Sequence, residues 1–339
     1  MIWYRAWVSL RLLSVVLLAI VIVAPEWPAF GDPRFRLRAI VGQENQFDFL
    51  VWSLNALSVK AEAFLADIQS FLPGEVESGF VMGYLQQIRA AQILEAEIER
   101  IYADPVEANP VQAAAAQQAE VDAIRRELTI RQPVAEAIVQ RQVASLLREE
   151  GLTIGGVTFP PVLMTMSPVP YMLIVSPRDR IEQADYAALV PGLATEAKEV
   201  MESAVFDELD MSALVVPIGG LGIYPAMIRE TSNINWLAEV TAHEWAHHWL
   251  SLRPLGVRYL DSAALRTINE TVASLVDLEI GPQVIERYYP EMVPPKPSGP
   301  PLPPRPITPA DPPTFDFAAE MAETRNEVDR LLAEGRIEE

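Results

Sequence analysis

The sequence predicts an α+β chain: an N-terminal membrane helix, a helical region, and then a small sheet followed by two paired helices. Three observations lead there. The chain opens on a nearly unbroken apolar run. From about residue 45 to 150, apolar residues recur at spacings of three and four. After Gly151 the texture changes to short apolar runs between turn residues, and then to two strong helical patterns.

The apolar run, Ala6 to Ala24, would span roughly 28 Å as a helix, close to the hydrocarbon core of a bilayer. Its uninterrupted part is Leu12 to Ala24, because Arg11 breaks the earlier half. Trp3, Tyr4, Trp7 and Trp27 flank it as interfacial aromatics would. The expectation is a retained single-pass anchor with the domain that follows it outside the cytoplasm. The competing reading is a cleaved signal peptide, with Arg5 and Arg11 as its basic region, which would make the protein secreted.

Phe35 to Val41 reads as a strand. Phe47 to Phe71 reads as a helix, with Leu50, Leu54, Leu57, Ala61, Phe64, Leu65 and Ile68 on one face. Pro73-Gly74 breaks it, and Val76 to Tyr102 is helical again. Val111 to Glu150 reads as helix interrupted near Pro133. These helices carry no chemical motif, so scaffold is their expected role. Past Gly151, strands are expected at Val162–Ser167, Tyr171–Ser176 and Ser212–Ile218, with mainly helix between Ile181 and Leu209. Ile223 to Ile228 is expected as a further strand, confined to a sheet edge by Pro225. Helices at Asn235–Leu252 and Ser262–Ile280 follow.

The proline-dense stretch from Pro294 to Pro313 reads as an extended linker, and Ala318 to Glu334 as a charged amphipathic helix. The expected division is therefore an anchor or signal segment (1–30), a mainly helical region (31–150), a domain holding all the histidines (151–293), a linker (294–314) and a terminal helix (315–339).

Half of the 339 residues are hydrophobic, enough for a sizeable core, and the formal net charge is −20. That charge repels phosphate backbones and argues against nucleic acid as a partner. There is no cysteine, which excludes disulfides, thiol nucleophiles and cysteine-ligated metal. The three histidines, His243, His247 and His248, all fall within six residues.

Residues 243–247 read His-Glu-Trp-Ala-His. On a helix, positions four apart share a face, so both imidazoles can reach one tetrahedral zinc ion. Glu244 sits about 100° further round, able to reach a metal-bound water but not to serve as a third ligand. Zinc lowers the pKa of such a water, and the carboxylate takes its proton. The flanks are apolar or uncharged, so a glutamate in this helix needs a reason. The competing reading is a pair of hydrogen-bonded core histidines. The third ligand should be a carboxylate, and Glu270 on the following helix is the leading candidate. Glu279 and Asp261 are weaker candidates, and Asp261 also reads as a helix cap. The competing reading of Glu270 is a member of a solvated stripe with Arg266, Thr267, Ser274 and Asp277. Asp277 or Ser274 can instead orient an imidazole. His248 points to another face, as a packing or supporting residue.

This constellation resembles the zincin metallopeptidases, and within them the gluzincins, in which a glutamate on a later helix completes an HExxH site in an Asn-Glu-x-x-Ala setting. Here Asn269-Glu270 is followed by an alanine one place early, at Ala273. The resemblance covers roughly residues 212–281. It implies a zincin-like metallopeptidase domain with His243, His247 and Glu270 as zinc ligands, Glu244 as general base, and a sheet edge holding a peptide or protein substrate, a place that Ile223 to Ile228 occupies in the chain order. It also implies an oxyanion-stabilising side chain, for which Tyr259, Tyr288, Tyr289 and Arg287 are candidates. The expected function is a membrane-anchored, zinc-dependent peptidase. The alternatives are a non-peptidase zinc hydrolase and a non-catalytic membrane-bound scaffold with a vestigial metal site.

Overall fold

A computed structural model describes residues 34–66, 74–295 and 316–337. In chain order its elements are α1 (Arg34–Val41), α2 (Phe49–Ala66), α3 (Gly74–Ala103), α4 (Pro110–Ala113), α5 (Ala115–Glu149), β1 (Met164–Ser167), β2 (Tyr171–Pro177), β3 (Asp185–Leu189), α6 (Thr195–Leu209), β4 (Met211–Pro217), β5 (Gly220–Leu221), β6 (Ala226–Arg229), α7 (Ile234–Leu250), α8 (Pro254–Val257), α9 (Ala263–Tyr288) and α10 (Phe317–Ala333). The chain forms two compact units. Among the described residues, one takes in 47–66, 74–170 and 217–293, and the other takes in 34–46, 171–216, 294–295 and 316–337.

The expected membrane architecture needs correction, and with it the fold class and the single-pass localisation. Among the described residues, no helix is long and apolar enough to cross a membrane. The long helices α3 and α5 carry glutamates and arginines along their length. Leu12 to Ala24, on which the expectation rested, lie outside the described residues, as does the proline-rich stretch from 296 to 315. What the structure describes is a mixture of helices and two small three-stranded sheets.

In the first unit, the spacings that predicted helices also place their buried faces. Val81, Tyr84, Leu85 and Ile88 of α3 meet Leu128, Ile138, Val139 and Leu146 of α5, and the same core holds Met164, Met166 and Ile228 of the sheet. It continues through Leu237, Ala242 and Trp245 of α7 into Ile280 and Val284 of α9. The core thus runs across the change of texture at Gly151. Helix α5 passes through Pro133 without the expected interruption. A helix-interior proline costs about 3 kcal/mol. Burying Ile138, Val139, Val143 and Leu147, each worth roughly 1.5–3 kcal/mol, outweighs that.

The sheet of this unit has the order β1-β6-β5, with β1 and β6 parallel and β5 antiparallel to β6. Side chains of α5 close its β1 edge. Gln140 Oε1 accepts from the Met164 amide at 2.9 Å and Glu136 Oε1 from the Met166 amide at 2.7 Å, while Gln132 Nε2 donates to the Met166 carbonyl at 2.6 Å. Spaced four apart, these residues form one polar stripe that occupies the backbone groups an edge strand would otherwise expose. Lys60 of α2 pairs with the buried Glu136. The strand expected at Ile223–Ile228 is β6, and it lies in the middle of the sheet rather than at an edge. Pro225 stands just before the strand, so its missing N–H interrupts no ladder. The outer strand is the two-residue β5.

The second unit has the sheet order β3-β2-β4. Leu173 and Val175 of β2 and Ala187 and Leu189 of β3 pack with Leu37 and Val41 of α1 and Met201 and Val205 of α6. Two expectations change here. Residues 35–41 are helical: the arginine alternation mimics a strand, but Leu37 and Val41 also stand four apart and are both buried. Residues 185–189 are a strand rather than helix, because pairing with β2 overrides the helical propensity of their alanines.

Candidate metal centre

Helix α7 begins where the Asn233 side chain accepts from the amides of Asn235 at 3.0 Å and Trp236 at 3.3 Å. Helix α9 is capped by Ser262, whose hydroxyl accepts from the Leu265 amide at 3.2 Å. Asp261, expected as that cap, pairs with Arg258 instead. The two helices approach closely at Gly281, where a Cβ would press on Glu239 of α7. That packing brings the polar face of α9 against the histidine face of α7.

His243, His247 and Glu270 come together, and the ligand atoms they offer lie within 4.8 Å of one another. The two Nε2 atoms are 3.2 Å apart, and Glu270 Oε2 is 3.5 Å from each. Zinc bonds of about 2.0–2.1 Å at tetrahedral angles put ligand atoms about 3.3 Å apart. The spacing therefore fits the ion. The protonation pattern fits it too. His243 Nδ1 meets Asp277 Oδ2 at 2.8 Å, and a carboxylate only accepts, so this nitrogen donates. His247 Nδ1 donates to Asn269 Oδ1 at 2.8 Å, with the amide of Asn269 turned so that Nδ2 faces the Leu255 carbonyl. Both Nε2 lone pairs then point at each other and at a carboxylate, a set of acceptors that calls for a cation. Without an ion, protons take that role. His243 is raised to about 9, first by its hydrogen bond to Glu270, against the opposing effect of burial. His247 is also raised: burial acts to lower it, and the hydrogen bond to Glu270 and the charge of Glu244 outweigh that. Glu270 is held well below the usual carboxylate range, by His243 first and then His247.

Glu244 is buried beneath the glycine-rich segment that precedes β6. A Cβ on Gly220 would collide with Glu244 Oε1, and one on Gly222 would stand 3.0 Å from His247 Cβ. Only glycine lets β5 lie this close to the helix. Burial raises Glu244 to about 7, with the two histidines partly opposing. His248 is not part of the cluster. It is fully buried, donates from Nε2 to the Ile223 carbonyl at 2.7 Å, and is lowered to about 4, chiefly by burial. It thereby ties the segment after β5 to α7.

Of the other candidates, Tyr259 reaches the site: its hydroxyl donates to Glu270 Oε1 at 2.8 Å, and its ring stands edge-on to His247. Tyr288 bonds Ser145, Tyr289 bonds Gln142, and Arg287 pairs with Glu149. Glu279 accepts from Gln283. Asp277 takes the orienting place open to it or to Ser274. The role of Asn269 was not anticipated, though it had a signal: it stands on the stripe of Ala273, Ile280 and Val284, a polar residue in a buried row. In comparisons with known proteins, no family model, curated protein or solved structure matches the chain.

Proposed function

We propose that this chain is a zinc-dependent hydrolase of peptide bonds, with His243, His247 and Glu270 holding the metal and Glu244 acting as general base. The observation that carries the reading is the convergence of three acceptor atoms at 3.2 and 3.5 Å beside a buried glutamate. Zinc held there supplies a Lewis acid that activates water near neutral pH. Asp277 and Asn269 fix the imidazole tautomers so that Nε2, not Nδ1, faces the ion. Glu244, buried beside that position, is suited to take the proton of the attacking water on its carboxylate and to return it to the leaving nitrogen.

A peptide is favoured over other substrates by the sheet. Its β1 edge is occupied by α5, while β5 is its outer strand and lies against Glu244. An extended peptide can add to such an edge through main-chain hydrogen bonds, which presents a carbonyl to the site. The test is hydrolysis of a broad peptide library by the zinc-loaded protein and by Glu244→Gln. Removing a general base typically costs about 10²–10⁴-fold in rate. We expect a loss in that range with zinc content unchanged. Equal hydrolysis by the two proteins would remove Glu244 from the mechanism.

A further inference from the structure

Tyr259 stands at the site with a partner that does not suit an oxyanion donor. Its hydroxyl is already committed to Glu270 Oε1 at 2.8 Å, while the other oxygen, Oε2, faces both imidazoles at 3.5 Å. The two carboxylate oxygens are thus divided between a tyrosine and the metal position. The tyrosine is itself held in place. Its amide donates to the Gly256 carbonyl at 3.1 Å, closing the turn that follows α8. Gly256 presses so closely on the Leu250 carbonyl at the end of α7 that a Cβ there would overlap it. The ring stands 6.4 Å from the His247 ring at an interplanar angle of 85°. Glu270, by contrast, has a side chain 45% exposed and needs an external restraint to keep one rotamer.

We propose that Tyr259 is a positioning residue that holds Glu270 to a single metal-facing oxygen and so keeps a coordination position open for water. This rests on the metal-site reading above. A carboxylate can bind a cation through one oxygen or two, and a catalytic zinc site needs three protein ligands with an open fourth position. With Oε1 turned to the Tyr259 hydroxyl, Oε2 is the oxygen that faces the metal position. Without that hydroxyl, Glu270 can turn and clasp the ion with both oxygens, filling the position that water needs.

The test replaces zinc by cobalt(II), whose visible absorption is strong in four-coordinate and weak in five-coordinate sites. We expect the cobalt-loaded native protein to show the four-coordinate pattern. Tyr259→Phe should bind cobalt but lose a large part of the visible absorption, and Tyr259→Leu should give the same spectrum. Hydrolysis by the zinc forms should fall in kcat more than it changes KM. A native spectrum of the five-coordinate type overturns the proposal, whatever the variants do. So does a Tyr259→Phe spectrum that superimposes on the native one, while leaving the metal site itself standing. If the native protein takes up neither cobalt nor zinc, the metal-site reading falls and this proposal with it.

Discussion

Asp277 and Asn269 decide which nitrogens His243 and His247 present, so the candidate centre depends on residues that would never touch the ion. This division of roles separates two substitutions that look alike. Glu270→Gln keeps size and helix propensity but weakens a ligand oxygen. We expect zinc affinity to fall well beyond the roughly tenfold to hundredfold typical of orienting residues. Asp277→Asn should stay within that smaller range. Competition titration against a chelator measures both, and the reverse order would mean that the wrong carboxylate has been chosen. Protons compete for the same place. The metal-free His243 is raised from 6.5 to about 9, so zinc must displace a proton at any pH below about 9. Zinc affinity should therefore rise with pH throughout the range below about 9 and level off above it. The sign for folding is opposite: a raised histidine stabilises the metal-free fold fully below about 6.5, and that contribution is lost as pH rises through 9. An affinity that is flat over this window would show that His243 is not a ligand.

Helices α7 and α9 could be read from the sequence because their periodicity is local and their caps are polar residues next to apolar runs. The strands were less legible. β6 was expected at an edge because Pro225 was counted as part of it, and nothing local shows that Gly220–Leu221 returns to pair on its far side. A two-residue strand has no period to detect. β3 was hidden by alanines whose pairing partners lie elsewhere in the chain. The glycines at 220 and 222 have a physical reason that lies outside their local sequence, the close approach of this segment to Glu244 and His247. A methyl group at position 220 meets Glu244 Oε1 directly. We expect Gly220→Ala to lose most hydrolytic activity while retaining zinc, since none of the three ligands moves. Loss of zinc in parallel with activity would contradict the view that β5 crowds the base and spares the ligands.

At the scale of the molecule, the motif-free helices α3 and α5 prove to be part of the site's foundation. They share one core with α7 and α9, and α5 also covers the β1 edge of the sheet. Their amphipathic pattern was legible, but that partnership was not, because sequence spacing does not say which buried faces meet. The interleaving of the two units was hidden for a similar reason: the chain leaves the first unit after Pro170 and returns at Pro217, so no single boundary in sequence separates them. The membrane expectation rested on the apolar run ending at Ala24 and its flanking aromatics, which lie outside the described residues, and no helix among the described residues is long and apolar enough to cross a membrane. The central claim is that this fold brings two imidazoles and one carboxylate to the spacing of a zinc site. Elemental analysis of the purified full chain, after dialysis against a trace of zinc at neutral pH, tests it most directly. We expect one tightly held zinc per chain in the native protein and none in a His243→Ala, His247→Ala double variant. A native protein that stays metal-free under these conditions would contradict the account.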